Sequence, residues 1–544
     1  MTGGSGKPRV AVIGLDGAEP TLVEELMESG AMPALARLRQ RGAYCRLHSE
    51  PGWQSGRVWE SFLTGEADFP SAALFDPATY ESFQLGSRHK RPFYMVDPPL
   101  NLLALDVPYM SLQYPAPGAQ VVWGGHDTGY PRAANPPGLV REIDARFGVH
   151  PAFHNDFGCP WYDRHGISAL TEALVVGSRR RVDIAAWLME RFPDWDLFMT
   201  VPSEVHSAGE IFWHGLATDH PLADTKTGRQ ARKCLLRVYR ELDRAVERLI
   251  ALLPEDTTVM VVSVHGMQIN NVDIPSMALL PELLYRAQSN GTLLHAPDGA
   301  EWARNGYPLV EPPLSQKWGQ YMRRHFGTAA DAPEGDRGSF FDRWRGVKRS
   351  YSVTERPIPP ETDLPPDQIG VPKMALDYQP ATWYREHWPR MRAFALPVFY
   401  DGRVRINLRG REAQGTVAPE DYEETCAWVE ELLGACRNPR NGEPAVENIE
   451  RLRTDDPLDP DGPDGDLIVT WRANIDALQH PDLGIIGPVP YRRTGGHTAS
   501  GFAIVDGADI PPHELATQES LALTPTVLDL LGRAATGPIP FRPG

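Results

Sequence analysis

Residues 9–17 read RVAVIGLDG. After Arg9 the run to Leu15 is apolar and rich in β-branched side chains, without polar alternation. That is the pattern of a strand covered on both faces, so Arg9–Leu15 is predicted to be a central parallel strand. Asp16 and Gly17 stand at its carboxyl end, where open α/β sheets place their chemistry. TLVEELMESG comes next, with apolar residues at helical spacing, and stops at Gly30; ALARLRQRG repeats the pattern and stops at Gly42. Strand, loop and helix in this order form the first half of a βα unit.

The same alternation recurs further along. Strands are predicted at Leu197–Val201 (LFMTV) and Thr258–Val264 (TVMVVSV), each preceded by a helical pattern, at Ile184–Arg191 and Cys234–Leu253. A late strand at Gly501–Val505 and a helix at Thr524–Leu531, ended by Gly532, complete the set. The expected fold class is α/β, a doubly wound and mostly parallel sheet with helices on both faces. Residues 1–290 are assigned to the first part of this core and 466–544 to its completion. Between them, 291–392 reads as an ordered insertion or cap. It is rich in Pro yet holds Trp302, Trp318, Trp344, Trp383 and Trp388, and disordered linkers are poor in aromatics. Its Arg323, Arg324, Arg337, Arg343, Arg345, Lys348 and Arg349 read either as a solvated surface or as an anion-guiding lid. Residues 393–465, with FALPVF, RVRINL and the helical Tyr422–Leu433, read as a small α+β subdomain.

Composition bounds the function. The 544 residues carry 54 Lys+Arg against 71 Asp+Glu, a formal charge of −17. A binder of nucleic acid polymers needs a basic face, so that class is excluded as an expectation. A small anionic or ester substrate stays open, because a cation can reverse the field locally. The five cysteines are far apart and form no C-x-x-C pair, so neither a disulfide framework nor a thiolate metal site is indicated. No apolar run is long enough to span a bilayer and the first residues lack a secretory h-region, which predicts a cytoplasmic protein without a membrane partner. The 52 Pro and 49 Gly imply many turns and long ordered loops.

The polar candidates stand beside the predicted strands. Asp16 lies just after the first. PSEVHSAGEIFWH, with Glu204, His206, Glu210 and His214, lies just after the second; His265 comes directly after the third; GGHTASG, with His497, precedes the last. His206 and Glu210, four apart on a helix, project from one face and can chelate one ion. Taken singly, each has a plain structural explanation, a surface ion pair, an N-cap or a loop histidine. Their joint occurrence at several strand ends is what points to a divalent cation. Ser55, in SEPGWQSGRVWESFLTGE, precedes a helical stretch, a suitable place for an anion or an activated hydroxyl. The sequence leaves open whether Glu204, His214 or the His126 of WGGHD joins the site.

GLDGAEP followed by AMPALARLRQRG resembles the opening of the alkaline phosphatase superfamily, in its type I phosphodiesterase/nucleotide pyrophosphatase branch. Ser55, Trp59, Ser61, Phe62, Thr64 and Gly65 match the nucleophile segment of that branch, and the similarity continues through RPFY, WDLFMTV, VVSVHGM, RINLRGREAQGTVAPEDYE, GGHTASGFAIVDG and LTPTVLDLLG. The resemblance implies Ser55 as nucleophile between two metal positions, one using Asp16, Ser55 and an Asp-His pair ending in His265. The other would use a D-x-x-x-H pair and His497. This chain departs from the pattern. The Asp expected before His265 is Val264, and the pair appears as His206 and Glu210 with the two ligand types exchanged. Two imidazoles and one carboxylate suit Zn²⁺ first, with Mn²⁺ or Fe²⁺ as alternatives. One or two ions are therefore expected, the second weakened or lost through Val264. The implied activity is metal-dependent hydrolysis of phosphoryl or related esters, including phosphodiesters and sulfate-type esters. A transferase moving such a group to a small-molecule hydroxyl, and a non-catalytic binding protein, are the alternatives. The substrate-binding residues are unknown at this level.

Overall fold

The computed structural model describes residues 7–49, 57–67, 73–85, 90–126, 131–153, 164–289, 291–295, 297–311, 318–327, 358–370, 373–399, 401–453, 455–460 and 462–541. At its centre is a mixed, mostly parallel sheet. From one edge the order is His513–Glu514, Ala43–His48, Ser500–Asp506, Thr257–Ser263, Arg9–Gly14, Leu197–Thr200, Leu102–Leu105, Gly118–Val122 and Ala133–Asn135. The strand Arg9–Gly14 lies in the middle, as its apolar run requires. It is parallel to both neighbours, with Val12 opposite Met199 on one side and Met260 on the other. Ser500–Asp506 runs antiparallel to both of its neighbours, and Ala133–Asn135 runs antiparallel to Gly118–Val122.

Both faces are covered, and the central strand divides its side chains between them. Ala11 and Ile13 join a large apolar core with Phe198, Val259, Val261 and residues of the helices Arg164–Arg191 and Lys226–Ile250. Val10 and Val12 join a second core with Met199, Val262, Trp59, Phe62, Leu523 and Val527. This two-sided burial is why the strand reads as continuous apolar sequence instead of alternation. The helix Lys226–Ile250 begins earlier than its apolar pattern suggests, because the Thr225 hydroxyl caps it by accepting from the Gly228 N–H at 2.9 Å.

A four-stranded antiparallel sheet (Ala393–Leu396, Gly402–Ile406, Leu467–Trp471, Val446–Arg451) packs with the helix Tyr422–Gly434. The described tryptophans of 291–392 are buried. Trp302, Trp318 and Trp383 donate their indole N–H to the carbonyls of Pro308, Pro490 and Asp377, and Trp388 stacks on Phe394 at 4.7 Å. Trp318, Trp383 and Trp388 belong to the larger apolar core, and Trp302 packs against Tyr307 and Arg440. Of its basic stretch, Arg323 lies 4.0 Å from the centre of the Trp383 ring; Arg337, Arg343, Arg345, Lys348 and Arg349, like Trp344, lie outside the described residues. Among the described residues no helix is long and apolar enough to cross a membrane.

Candidate metal centre

Asp16 leaves the central strand with its backbone pinned on both sides. The Leu15 N–H donates to Val262 O at 2.6 Å and the Asp16 N–H to Pro202 O at 3.2 Å. Gly17 turns the chain away with φ +67, and a Cβ there would come within 3.2 Å of the His206 Cα. Only glycine combines that conformation with so close an approach. The Asp16 carboxylate is buried and fully engaged: Oδ1 accepts the Trp59 indole N–H at 2.7 Å and meets His265 Nε2 at 3.0 Å, while Oδ2 meets His126 Nδ1 at 3.2 Å. Burial alone would raise its pKa. The charge field of His206 and the contacts from His126 and His265 outweigh that and hold the carboxyl well below the usual range.

His206 and Glu210 project from the helix Glu204–Phe212, which comes after strand Leu197–Thr200. The third member arrives from far along the chain. Past His265 the strand Gly266–Ile269 pairs antiparallel with Gly495–Thr498, which sets Met267 opposite His497. The His497 ring then stacks on His265 at 4.4 Å and turns its Nε2 toward His206 Nε2, 2.8 Å away. Glu210 Oε1 lies 3.8 Å from His206 Nε2 and 4.0 Å from His497 Nε2. Burial, followed by the fields of His265, His206 and Arg493, keeps His497 well below the ordinary imidazole pKa. Its neutral form is the one that offers a lone pair to a cation.

No sequence pattern singles out Arg493, yet it belongs to the site. Its Nη1 lies 3.0 Å from Glu210 Oε1 and its Nε 3.2 Å from Asp273 Oδ2, and all three side chains are buried. One guanidinium thus holds the carboxylate of the helix against a second carboxylate behind it. Glu204 and His214 are turned elsewhere. Glu204 faces His150 at 3.4 Å and Arg181 at 3.7 Å, and His214 Nδ1 meets the Thr494 hydroxyl at 2.9 Å. His126, by contrast, enters the site. Ser55 lies outside the described residues; the helix Val58–Thr64 just beyond it is tied to the site by the Trp59–Asp16 hydrogen bond.

The two implied cation positions fare differently. His206, Glu210 and His497 each offer one ligand atom, all within 4.8 Å of one another. Two imidazoles and one carboxylate at that separation fit a divalent ion with an open position. Around Asp16 and His265 the described residues do not make such a set. Both Asp16 oxygens have partners outside the implied ligand set, Oδ1 in the Trp59 indole N–H and Oδ2 in His126, and Val264, buried in the apolar core with Trp59 and Phe62, has no donor atom.

The chain is similar in structure to phosphonoacetate hydrolase from Sinorhizobium meliloti 1021 in complex with phosphonoformate, at 12% identity over 97% of each chain with a TM-score of 0.42. Murine ectonucleotide pyrophosphatase/phosphodiesterase 5 is similar at 11% identity over 97% of this chain and 96% of that one, with a TM-score of 0.39. A substituted form of the alkaline phosphatase PafA is similar at 10% identity over 99% of each chain, with a TM-score of 0.45. No curated protein sequence matches. The family model for type I phosphodiesterase / nucleotide pyrophosphatase matches residues 10–300, the segment that runs from the central strand through Trp59, His206, Glu210 and His265. With more than half of its length matched in this way, the chain belongs to the type I phosphodiesterase / nucleotide pyrophosphatase family.

Proposed function

We propose that this protein hydrolyses a phosphodiester or related ester of a small molecule with the help of one divalent cation. His206, Glu210 and His497 would hold the ion and Ser55 would be the nucleophile. The convergence of those three ligand atoms at the strand ends carries this reading. Zn²⁺ suits the donor set, with Mn²⁺ or Fe²⁺ as alternatives. When bound, the ion supplies Lewis-acid polarisation of the ester oxygens.

The chain's own residues do the rest. Ser55 gives up its hydroxyl proton to solvent and forms the bond to phosphorus as the leaving oxygen departs and takes a proton from water. A second water then attacks the phosphorus, the Ser55 oxygen–phosphorus bond breaks, and Ser55 regains a proton. The Asp16–Trp59 contact sets the start of the helix that Ser55 precedes. Arg493 holds Glu210 in place against its own buried negative charge. The reading predicts turnover of bis(p-nitrophenyl) phosphate that chelation abolishes and Zn²⁺ restores. Replacing Ser55→Ala should lower it by about a hundredfold or more. Turnover undiminished by chelator contradicts the role of the cation, and undiminished turnover in Ser55→Ala contradicts the covalent step. Products analysed with added alcohols separate hydrolysis from transfer, and hydrolysis alone is expected.

A further inference from the structure

The contact between Asp16 and His126 is built from several independent constraints. His126 lies just past the turn after strand Gly118–Val122, and Asp106, just past strand Leu102–Leu105, shapes that turn. Asp106 sits at φ +52, an unusual conformation for a residue with a Cβ. Its buried carboxylate accepts three successive N–H groups, Trp123 at 2.7 Å and Gly124 and Gly125 at 2.9 Å. The Ser203 hydroxyl donates to the Gly125 carbonyl at 2.5 Å. Arg181, 1% exposed, lies 3.4 Å from Asp106 and 3.7 Å from Glu204, with no hydrogen-bond partner for any guanidinium nitrogen among the described residues, and so acts on these two carboxylates through charge. A Cβ on Gly125 would come 2.5 Å from Arg181 Nη2 and 2.7 Å from Asp106 Oδ2. The residue before His126 is therefore fixed at its N–H, its carbonyl and its Cα.

One short segment then registers the whole arrangement. Val201 O meets His126 Nε2 at 2.6 Å, Pro202 O accepts the Asp16 N–H, and Ser203 holds Gly125. The next residue begins the helix that carries His206 and Glu210. Three consecutive residues thus fix His126 against Asp16 and both against the ligand helix.

We propose that His126 is a positioning residue that closes the second cation position: aimed by the Gly125 backbone that Asp106 and Ser203 fix, and held at Nε2 by the Val201 carbonyl, its ring takes the Asp16 oxygen that a second ion would need. The inference rests on the one-cation reading above and gives it a cause additional to Val264. If Val264 were the whole cause, restoring a carboxylate there would restore the second ion. If His126 closes the position, Val264→Asp alone would not.

The test is the number of ions bound per full-length chain, by elemental analysis after Zn²⁺ loading and by Mn²⁺ titration followed by electron paramagnetic resonance. Wild type and Val264→Asp should each hold one ion, and Val264→Asp combined with His126→Ala should hold two. A second ion in Val264→Asp with His126 intact overturns the proposal, and so does a folded double variant that stays at one. Should His126→Ala fail to fold, His126→Asn keeps a smaller polar side chain and carries the same expectation. Wild type with no ion, or with two, contradicts the one-cation reading itself, an outcome distinct from one ion in wild type and two in Val264→Asp.

Discussion

His220 tests the packing beneath the segment that delivers Arg493 and His497. Its ring lies 4.7 Å from that of Tyr491, and its Nδ1 accepts the Leu222 N–H at 3.0 Å, a bond that only the unprotonated nitrogen can make. Burial pulls its pKa down to about 4 from the ordinary value near 6.5. The folded state therefore keeps the ring neutral while the unfolded chain takes up a proton as the pH falls through about 6.5. Stability from this group is present above that pH and is lost below it. Between pH 7 and pH 5 the unfolded side gains most of its proton and the folded side almost none, a loss of about 2 kcal/mol. In His220→Asn the Oδ1 can still accept from the Leu222 N–H, as in an Asx turn, but nothing titrates. The variant should lose about 1 kcal/mol at pH 7 from reduced packing on Tyr491 and should be less sensitive to acid. Urea unfolding of both proteins at pH 7 and pH 5, read as a stability difference, should show the gap change by about 2 kcal/mol in favour of the variant at pH 5. A gap that is the same at both values rules out a buried, neutral His220.

Three further outcomes are expected at the site. Trp59→Phe keeps the ring but removes the indole N–H from the buried Asp16 carboxylate, so stability should fall by about 2 kcal/mol, measured by denaturant midpoint, with turnover lowered as well. Arg493→Gln leaves Glu210 and Asp273 without their shared cation; the ion-free protein should lose about 3 kcal/mol, and Zn²⁺ should raise its melting temperature by more than it raises that of wild type. Gly125→Ala forces a methyl onto Arg181 and Asp106, so a stability loss of about 1–3 kcal/mol is expected in thermal unfolding.

What could be read from the sequence depended on how local the signal was. The strand Arg9–Gly14 is legible because a parallel strand buried on both faces spells a continuous apolar run. Ala43–His48 is not, because its buried start and its alternating end, with Arg46 and His48 exposed, keep neither strand pattern over all six residues. His206 and Glu210 announce themselves by helical spacing. That His497 meets them depends on the pairing of Met267 with His497 across more than two hundred residues, which no local pattern encodes. His126 stands in a visible Gly-rich stretch, but the carboxylate that aims it belongs to Asp106 on another strand end. Arg492 and Arg493 are adjacent in sequence; the backbone, with φ +28 at Arg493, sends one to the Trp318 ring and the other to Glu210. The tryptophans of 291–392 are aromatic enough for a stacking surface, and packing buries those described.

The proposed chemistry stands or falls on a cation held by His206, Glu210 and His497. A crystal of the Zn²⁺-loaded chain, measured at the zinc absorption edge, would locate that ion. One anomalous peak is expected, about 2.0–2.2 Å from His206 Nε2, His497 Nε2 and a Glu210 oxygen. No peak there, or a second one of equal height between Asp16 and His265, would overturn the one-cation site.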